Sequence, residues 1–276
     1  MKAFIILYII FLSILSNAQD NVYDIFNKSY SKIKNAKTLF YYNYATEKIG
    51  TKYIIDKSLI KVNRNPFKVY IFQKKEGGSE ILYNSSINTE KAFVNPSKFP
   101  YITLHLSPYG SIMRNETHHT IFQADIKYTY DILNNTIVNN RGYSLLRLLG
   151  KVKIDNKILY KIELDNKNYK NYRYTIKQGE SITSIAKSKR LGAYKILVLN
   201  PNISFYDDVK TGDIITIPNY YSKKVYLYID IKTYLPYLIK VYDTKELYES
   251  YKFEKLIINY QFNKDEFSEN YKDYNF

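Results

Sequence analysis

Two stretches of strict alternation, KILYKIELD (157–165) and KKVYLYIDI (223–231), bracket a segment of a different kind. In the first, Ile158, Tyr160, Ile162 and Leu164 face one way and Lys161, Glu163 and Asp165 the other. In the second, Val225, Leu227, Ile229 and Ile231 oppose Lys224, Tyr226, Tyr228 and Asp230. Successive side chains of a strand point to opposite faces, so each stretch reads as a strand. If the two pair as hairpin neighbours, residues 166–223 are an insertion in their connecting loop. Lengthening an exposed loop costs only about 0.6 kcal/mol per doubling, so such an insertion is tolerable.

Around this interruption the chain reads as α+β. Val22, Ile25, Phe26, Ser29, Tyr30 and Ile33 recur at helical spacing and predict one amphipathic helix. Beyond Lys37 the period changes to two in TLFYYNYATEKIG, TKYIIDKSLIKVN, FKVYIFQKK and SEILYNSS, separated by GT, NRNP and EGG turns, as in an antiparallel meander. The stretch Arg114 to Asn139 places Ile121, Phe122, Ile126, Tyr130, Leu133 and Ile137 close to helical spacing, and is expected to be helical despite its β-branched residues. After the insertion, KTYLP turns the chain and YLIKVYD and ELYESYKFEKLIINYQ continue the sheet.

The insertion has an internal order of its own. Tyr172 to Lys177 reads as a short strand, and Gly179 turns the chain into an N-cap at Ser181, with Ser184 three residues on. Ile182, Ile185 and Ala186 form one helical face ended by Leu191 and Gly192; Tyr194, Leu197, Val198 and Leu199 fit a second short helix stopped at NPN. GDIITIP closes with a strand, giving β, α, α, β. Through YTIKQGESITSIA, ILVLNPNI and VKTGDIITIP, residues 172–219 resemble the LysM carbohydrate-binding module along its full length. That resemblance implies binding of peptidoglycan or another N-acetylglucosamine-containing glycan in a shallow groove between two loops. The loops are Gly179, Glu180, Ser181 and Ile182 on one side and Pro201, Asn202, Ile203 and Ser204 on the other. Backbone groups and short polar side chains there would bond the acetamido group, while Ile182 and Ile203 would touch its methyl. Glu180 stands where the family more often has Asp, and no tryptophan platform is available.

The host body, 19–171 plus 220–276, more faintly resembles LolA-like lipoprotein carriers and a related uncharacterised family of exported proteins, DUF1571. The resemblance rests on the first helix leading into YY, on HHTIF, and on the ending LPYLIKVYDTKELYESYKFEKLIINYQFNKDEFSENYKDYNF. It implies a curved antiparallel half-barrel covered by helices and holding an apolar ligand, a lipid or a lipoprotein acyl chain. Apolar residues on both faces of the strands fit a concave side that receives something greasy.

Met1 and Lys2, the apolar run Ala3 to Leu15, and Ser16, Asn17 and Ala18 predict a signal peptide cleaved after Ala18, and hence a product of the periplasm or cell envelope. No later stretch approaches the roughly 20 apolar residues of a spanning helix. The chain has no cysteine, which excludes lipid attachment through cysteine, disulfides and Cys-type zinc sites. Its formal charge is +15, but the lysines are scattered, and nucleic acid is not expected as a partner. Three histidines, His105, His118 and His119, are too few for a His-rich zinc site. On a helix, His118 and His119 would point apart, leaving Glu116 and His119 as a weak pair. With no assembled nucleophile, metal or acid–base set, no catalytic or metal residue and no cofactor is assigned, and a binding protein is favoured. The alternative is a cell-envelope enzyme acting on peptidoglycan, with the LysM segment as its targeting module.

Overall fold

The computed structural model describes residues 21–74, 78–96, 98–99, 101–139, 145–244 and 246–276. The expected signal peptide and part of the EGG turn lie outside them. Helix α1 spans Val22–Asn35 and buries Ile25, Phe26, Ser29 and Ile33; Asn21 caps it by accepting from the Tyr23 N–H at 2.9 Å. The meander follows as β1 (Thr38–Ile49), β2 (Lys52–Arg64), β3 (Phe67–Gln73), β4 (Ser79–Asn84), β5 (Ala92–Asn95) and β6 (Leu104–Leu106).

Here the structure departs from the sequence expectation. Helix α2 covers only Ile126–Asn139, preceded by a single 3-10 turn at Ile121–Gln123, and residues 114–120 are irregular. Glu116 adopts a positive φ of 52°, which a continuous α-helix does not allow. Asp125 accepts from the Lys127 N–H at 2.9 Å and so starts the helix there, while Arg64 grips its carboxylate with Nε at 2.5 Å and Nη2 at 2.7 Å. Helix α2 packs on α1, with Ser29 and Tyr130 hydroxyls 2.7 Å apart.

Strands β7 (Leu146–Ile154) and β8 (Lys157–Asp165) precede the insertion; β11 (Lys224–Asp230), β12 (Pro236–Tyr242) and β13 (Leu247–Ile258) follow it. All eleven belong to one antiparallel sheet in the order β6-β5-β4-β3-β2-β1-β13-β12-β11-β8-β7, curved and unclosed. The bracketing strands pair directly, Asp165 opposite Lys224 and Leu164 opposite Val225. Between them lie β9 (Asn171–Thr175), α3 (Ile182–Lys189), α4 (Ala193–Val198) and β10 (Ile214–Pro218), with β9 and β10 forming a separate two-stranded sheet. This unit has its own core of Ile176, Ile182, Ile185, Leu191, Ile196, Tyr206, Ile215 and Ile217 among others. Helix α3 ends at Arg190 in the left-handed conformation, φ 57°, not at Gly192, which instead precedes α4.

The main core fills the concave side, where α1 and α2 cover the sheet. On the opposite face, the C-terminal tail covers β3 to β5 through Phe262, Phe267, Tyr274 and Phe276 against Tyr70, Leu82 and Phe93. Tyr274 stacks on Tyr70 at 3.8 Å between ring centroids, and Lys61 meets Glu266 at 2.6 Å beneath them.

Candidate functional site

In the inserted unit, Gly179 turns at φ 75°, a conformation open to glycine at no steric cost. Glu180 is committed to holding that turn: its carboxylate accepts from the Lys177 N–H and the Tyr174 hydroxyl, each at 2.9 Å. Its pKa is lowered, chiefly by that backbone N–H. Ser181 and Ser184 cap α3 reciprocally, at 2.9 and 3.2 Å. The two loops are stitched together where the Ile182 N–H donates to the Tyr206 carbonyl at 3.0 Å. Asn200, buried, pins the second loop to β10 by donating to Ile196 and Thr216 carbonyls and accepting from the Thr216 N–H. Gly179, Pro201, Asn202 and Ser204 are exposed, and Glu180, Ser181 and Ile203 half-buried. Ile182 corrects the expectation, because its side chain is completely buried in the unit's core and cannot touch a sugar methyl. Only its backbone borders the loops.

A second feature lies between the sheet and the irregular segment 107–125. It is a cavity of about 430 Å³, within the range of small-molecule sites. One row across its floor is apolar. Tyr41 lies opposite Ile60, Ile60 opposite Ile71, Ile71 opposite Ile81 and Ile81 opposite Val94. Ile112, Met113, Ile121 and Ile126 face this floor from the covering segment and α2. The Tyr41 hydroxyl donates to the Ala124 carbonyl and so ties the cover to the sheet.

At one end of the cavity sits a buried polar cluster that sequence reasoning missed. His118 and His119 do not diverge as on a helix; both rings reach Glu249, His118 through Nδ1 at 2.8 Å and His119 through Nε2 at 3.3 Å. Glu249 also accepts from Tyr221 at 2.6 Å, and Tyr251 donates to Glu47 at 2.5 Å. The His118 Nε2 faces the Lys48 carbonyl at 2.9 Å. Burial opposes charge on His119, but the Glu249 carboxylate outweighs it and raises the ring's pKa. Burial likewise works against the Glu249 charge, yet His119 and His118 hold that carboxyl well below its usual range. Glu47, His118 and Glu249 offer ligand atoms all within 4.8 Å of one another, the one such set found among the described residues. Holding a metal would cost them these hydrogen bonds, since Glu47 already takes the His118 N–H at 2.8 Å. The only sequence signal was the HH pair itself, because the two carboxylates come from strands about 70 and 130 residues away.

The LysM domain family model matches residues 174–218. Residues 174–218 are a LysM domain. No curated protein matches the chain. Among solved structures it is similar to Mycobacterium tuberculosis lipoprotein LppX, at 13% identity over 88% of this chain and 97% of that one, TM-score 0.42. It is similar also to LprF from Mycobacterium bovis, at 11% identity over 87% and 93%, TM-score 0.40. A LolA superfamily protein from Nitrosomonas europaea aligns at 10% identity over 91% and 98%, TM-score 0.32. No helix among the described residues is long and apolar enough to cross a membrane.

The LysM domain is docked on the host, not strung from it. Its two tethers bond each other: the Asn219 N–H donates to the Lys170 carbonyl at 3.0 Å, and Asn166 Nδ2 donates to the Ser222 carbonyl at 2.7 Å. Tyr194 of α4 stacks on His118 at 4.8 Å and accepts from the Gly50 N–H at 3.0 Å. Lys195 meets Asp243 at 3.1 Å, and Arg114 donates to the Thr183 hydroxyl at 2.7 Å.

Proposed function

We propose that this is an exported cell-envelope protein in which a LysM unit, taken as residues 172–219, binds peptidoglycan or another N-acetylglucosamine-containing glycan while the host body holds a lipid or acyl chain. The observation that carries this reading is the combination in one chain of a LysM domain with a separate cavity floored by a row of aliphatic side chains. Exposed Gly179, Pro201, Asn202 and Ser204 leave backbone and short polar groups free to meet a sugar, with half-buried Ile203 beside them. A single such groove binds weakly and gains from a polymeric ligand. A non-catalytic reading is favoured because a LysM domain is a binding module.

Two experiments test the parts separately. Sedimentation with insoluble peptidoglycan is expected to carry the protein down even in 1 M salt, where screening over about 3 Å removes non-specific attraction of a basic protein. Retention lost at that salt would argue against the glycan groove. Native mass spectrometry of protein purified gently from its own host is expected to show a bound lipid, and a persistently ligand-free mass would count against the cavity reading.

A further inference from the structure

The floor of the cavity is apolar along one row only. The adjoining row is polar across four strands: Asn43 lies opposite Ser58, Ser58 opposite Gln73, and Gln73 opposite Ser79. Asp56 stands two residues from Ser58 on the same strand face, opposite Ala45, and all five polar side chains line the cavity. Both serine hydroxyls in this row are spent internally, Ser58 on Asp56 Oδ2 and Ser79 on Gln73 Oε1. Two acceptors remain. Asn43 Oδ1 and Asp56 Oδ1 are buried atoms with no hydrogen-bond partner among the described residues. A buried acceptor without a donor carries a desolvation cost that a ligand donor would relieve.

From this we propose that the cavity selects a single-chain amphiphile whose head donates hydrogen bonds and carries no negative charge, a hydroxyl or ammonium head. Its chain lies on the Tyr41–Ile60–Ile71–Ile81–Val94 row and its head on Asn43 and Asp56. This rests on the lipid-binding reading of the cavity and adds the polarity of the ligand's head. An anionic head is disfavoured twice, because it has no proton to offer Asn43 Oδ1 or Asp56 Oδ1 and its charge meets a wall holding Glu47, Asp56 and Glu116 against Lys98 and His119. A protein of formal charge +15 thus keeps a chamber that turns anions away.

Native mass spectrometry of the full chain, stripped of lipid, tests this with equimolar monopalmitoylglycerol, hexadecylamine and palmitate, which share a chain length and differ at the head. The expected result is at least about tenfold preference for the first two over palmitate, since one lost charge-assisted pairing is worth about 1.4 kcal/mol or more. In D56N the palmitate disadvantage is expected to shrink to within a few-fold, with chain binding retained. Palmitate bound as well as monopalmitoylglycerol by the wild-type protein, or an unchanged ratio in a folded D56N, would overturn the head selectivity while leaving lipid binding standing. Failure of all three amphiphiles to bind would remove the lipid-binding reading itself, and the selectivity with it.

Discussion

The guanidinium carbon of Arg114 lies 3.1 Å from the centroid of the Tyr206 ring. Arg114 belongs to the segment whose neighbours Ile112, Met113 and Asn115 cover the host cavity, and Tyr206 belongs to the core of the LysM domain. Tyr206 is also the residue whose carbonyl joins the two groove loops through Ile182. One side chain therefore connects the cover of the cavity with the base of the groove proposed for the glycan.

Arg114→Ala removes a stacked cation and the hydrogen bond to Thr183, an expected loss of about 1–3 kcal/mol. Amide hydrogen exchange in residues 107–120 and 181–184 is expected to accelerate together. Unchanged protection in either segment would mean that Arg114 does not couple them.

The His119–Glu249 pair makes a pH prediction. His119 binds its proton more tightly when folded, so its contribution is complete below its ordinary value of 6.5 and is lost as pH rises through the folded value. Glu249 is shifted down, so its contribution is complete above 4.5 and is lost as pH falls through the folded value. The difference in melting temperature between wild type and Glu249→Gln is expected to be largest between about pH 4.5 and 6.5 and to narrow on both sides. A difference constant from pH 4 to 9 would show that the charges of this cluster do not contribute.

Ile81→Trp places a large side chain in the apolar row of the cavity. Lipid binding is expected to fall at least tenfold while peptidoglycan sedimentation is unchanged, with a stability change of about 1–3 kcal/mol from overpacking. Parallel loss of both activities in a folded variant would contradict two separate sites.

Asn200→Ala strips the three hydrogen bonds that hold the loop after α4 against β10. A loss of about 2–3 kcal/mol is expected, because the Thr216 N–H and two carbonyls are left unpaired. Urea unfolding checks the stability and sedimentation checks the glycan; a groove unaffected by this change would mean that loop 201–204 takes no part in binding.

Much of the fold was legible in local pattern. Alternation located the strands of the meander and the pair that brackets the LysM domain, and the spacing of Ile25, Phe26, Ser29 and Ile33 located α1. What was not legible depends on register or on tertiary partners. The spacing from Ile121 to Ile137 suggested a helix reaching back to Arg114, but Arg114 to Thr120 holds no residue of that pattern, and there Arg114 stacks on Tyr206 and His118 meets Glu249. Asn43 and Ser58 lie on strand faces that mix apolar residues with Glu47 and Asp56, and only hairpin register sets them side by side with Gln73 and Ser79. Ile182 was apolar and beside the groove; helical periodicity, which equally placed it with Ile185 and Ala186, was the better guide to its burial.

The central claim, that one chain carries a lipid while seated on the cell wall, is tested most directly by co-sedimentation. Protein preloaded with monopalmitoylglycerol is mixed with insoluble peptidoglycan in 1 M salt, and both protein and lipid are quantified in the pellet. The account predicts that the two pellet together, and that Asn202→Trp, which puts bulk at the exposed groove loop, leaves both in the supernatant. Protein that pellets without its lipid, or a lipid-loaded protein that stays in solution, would contradict it.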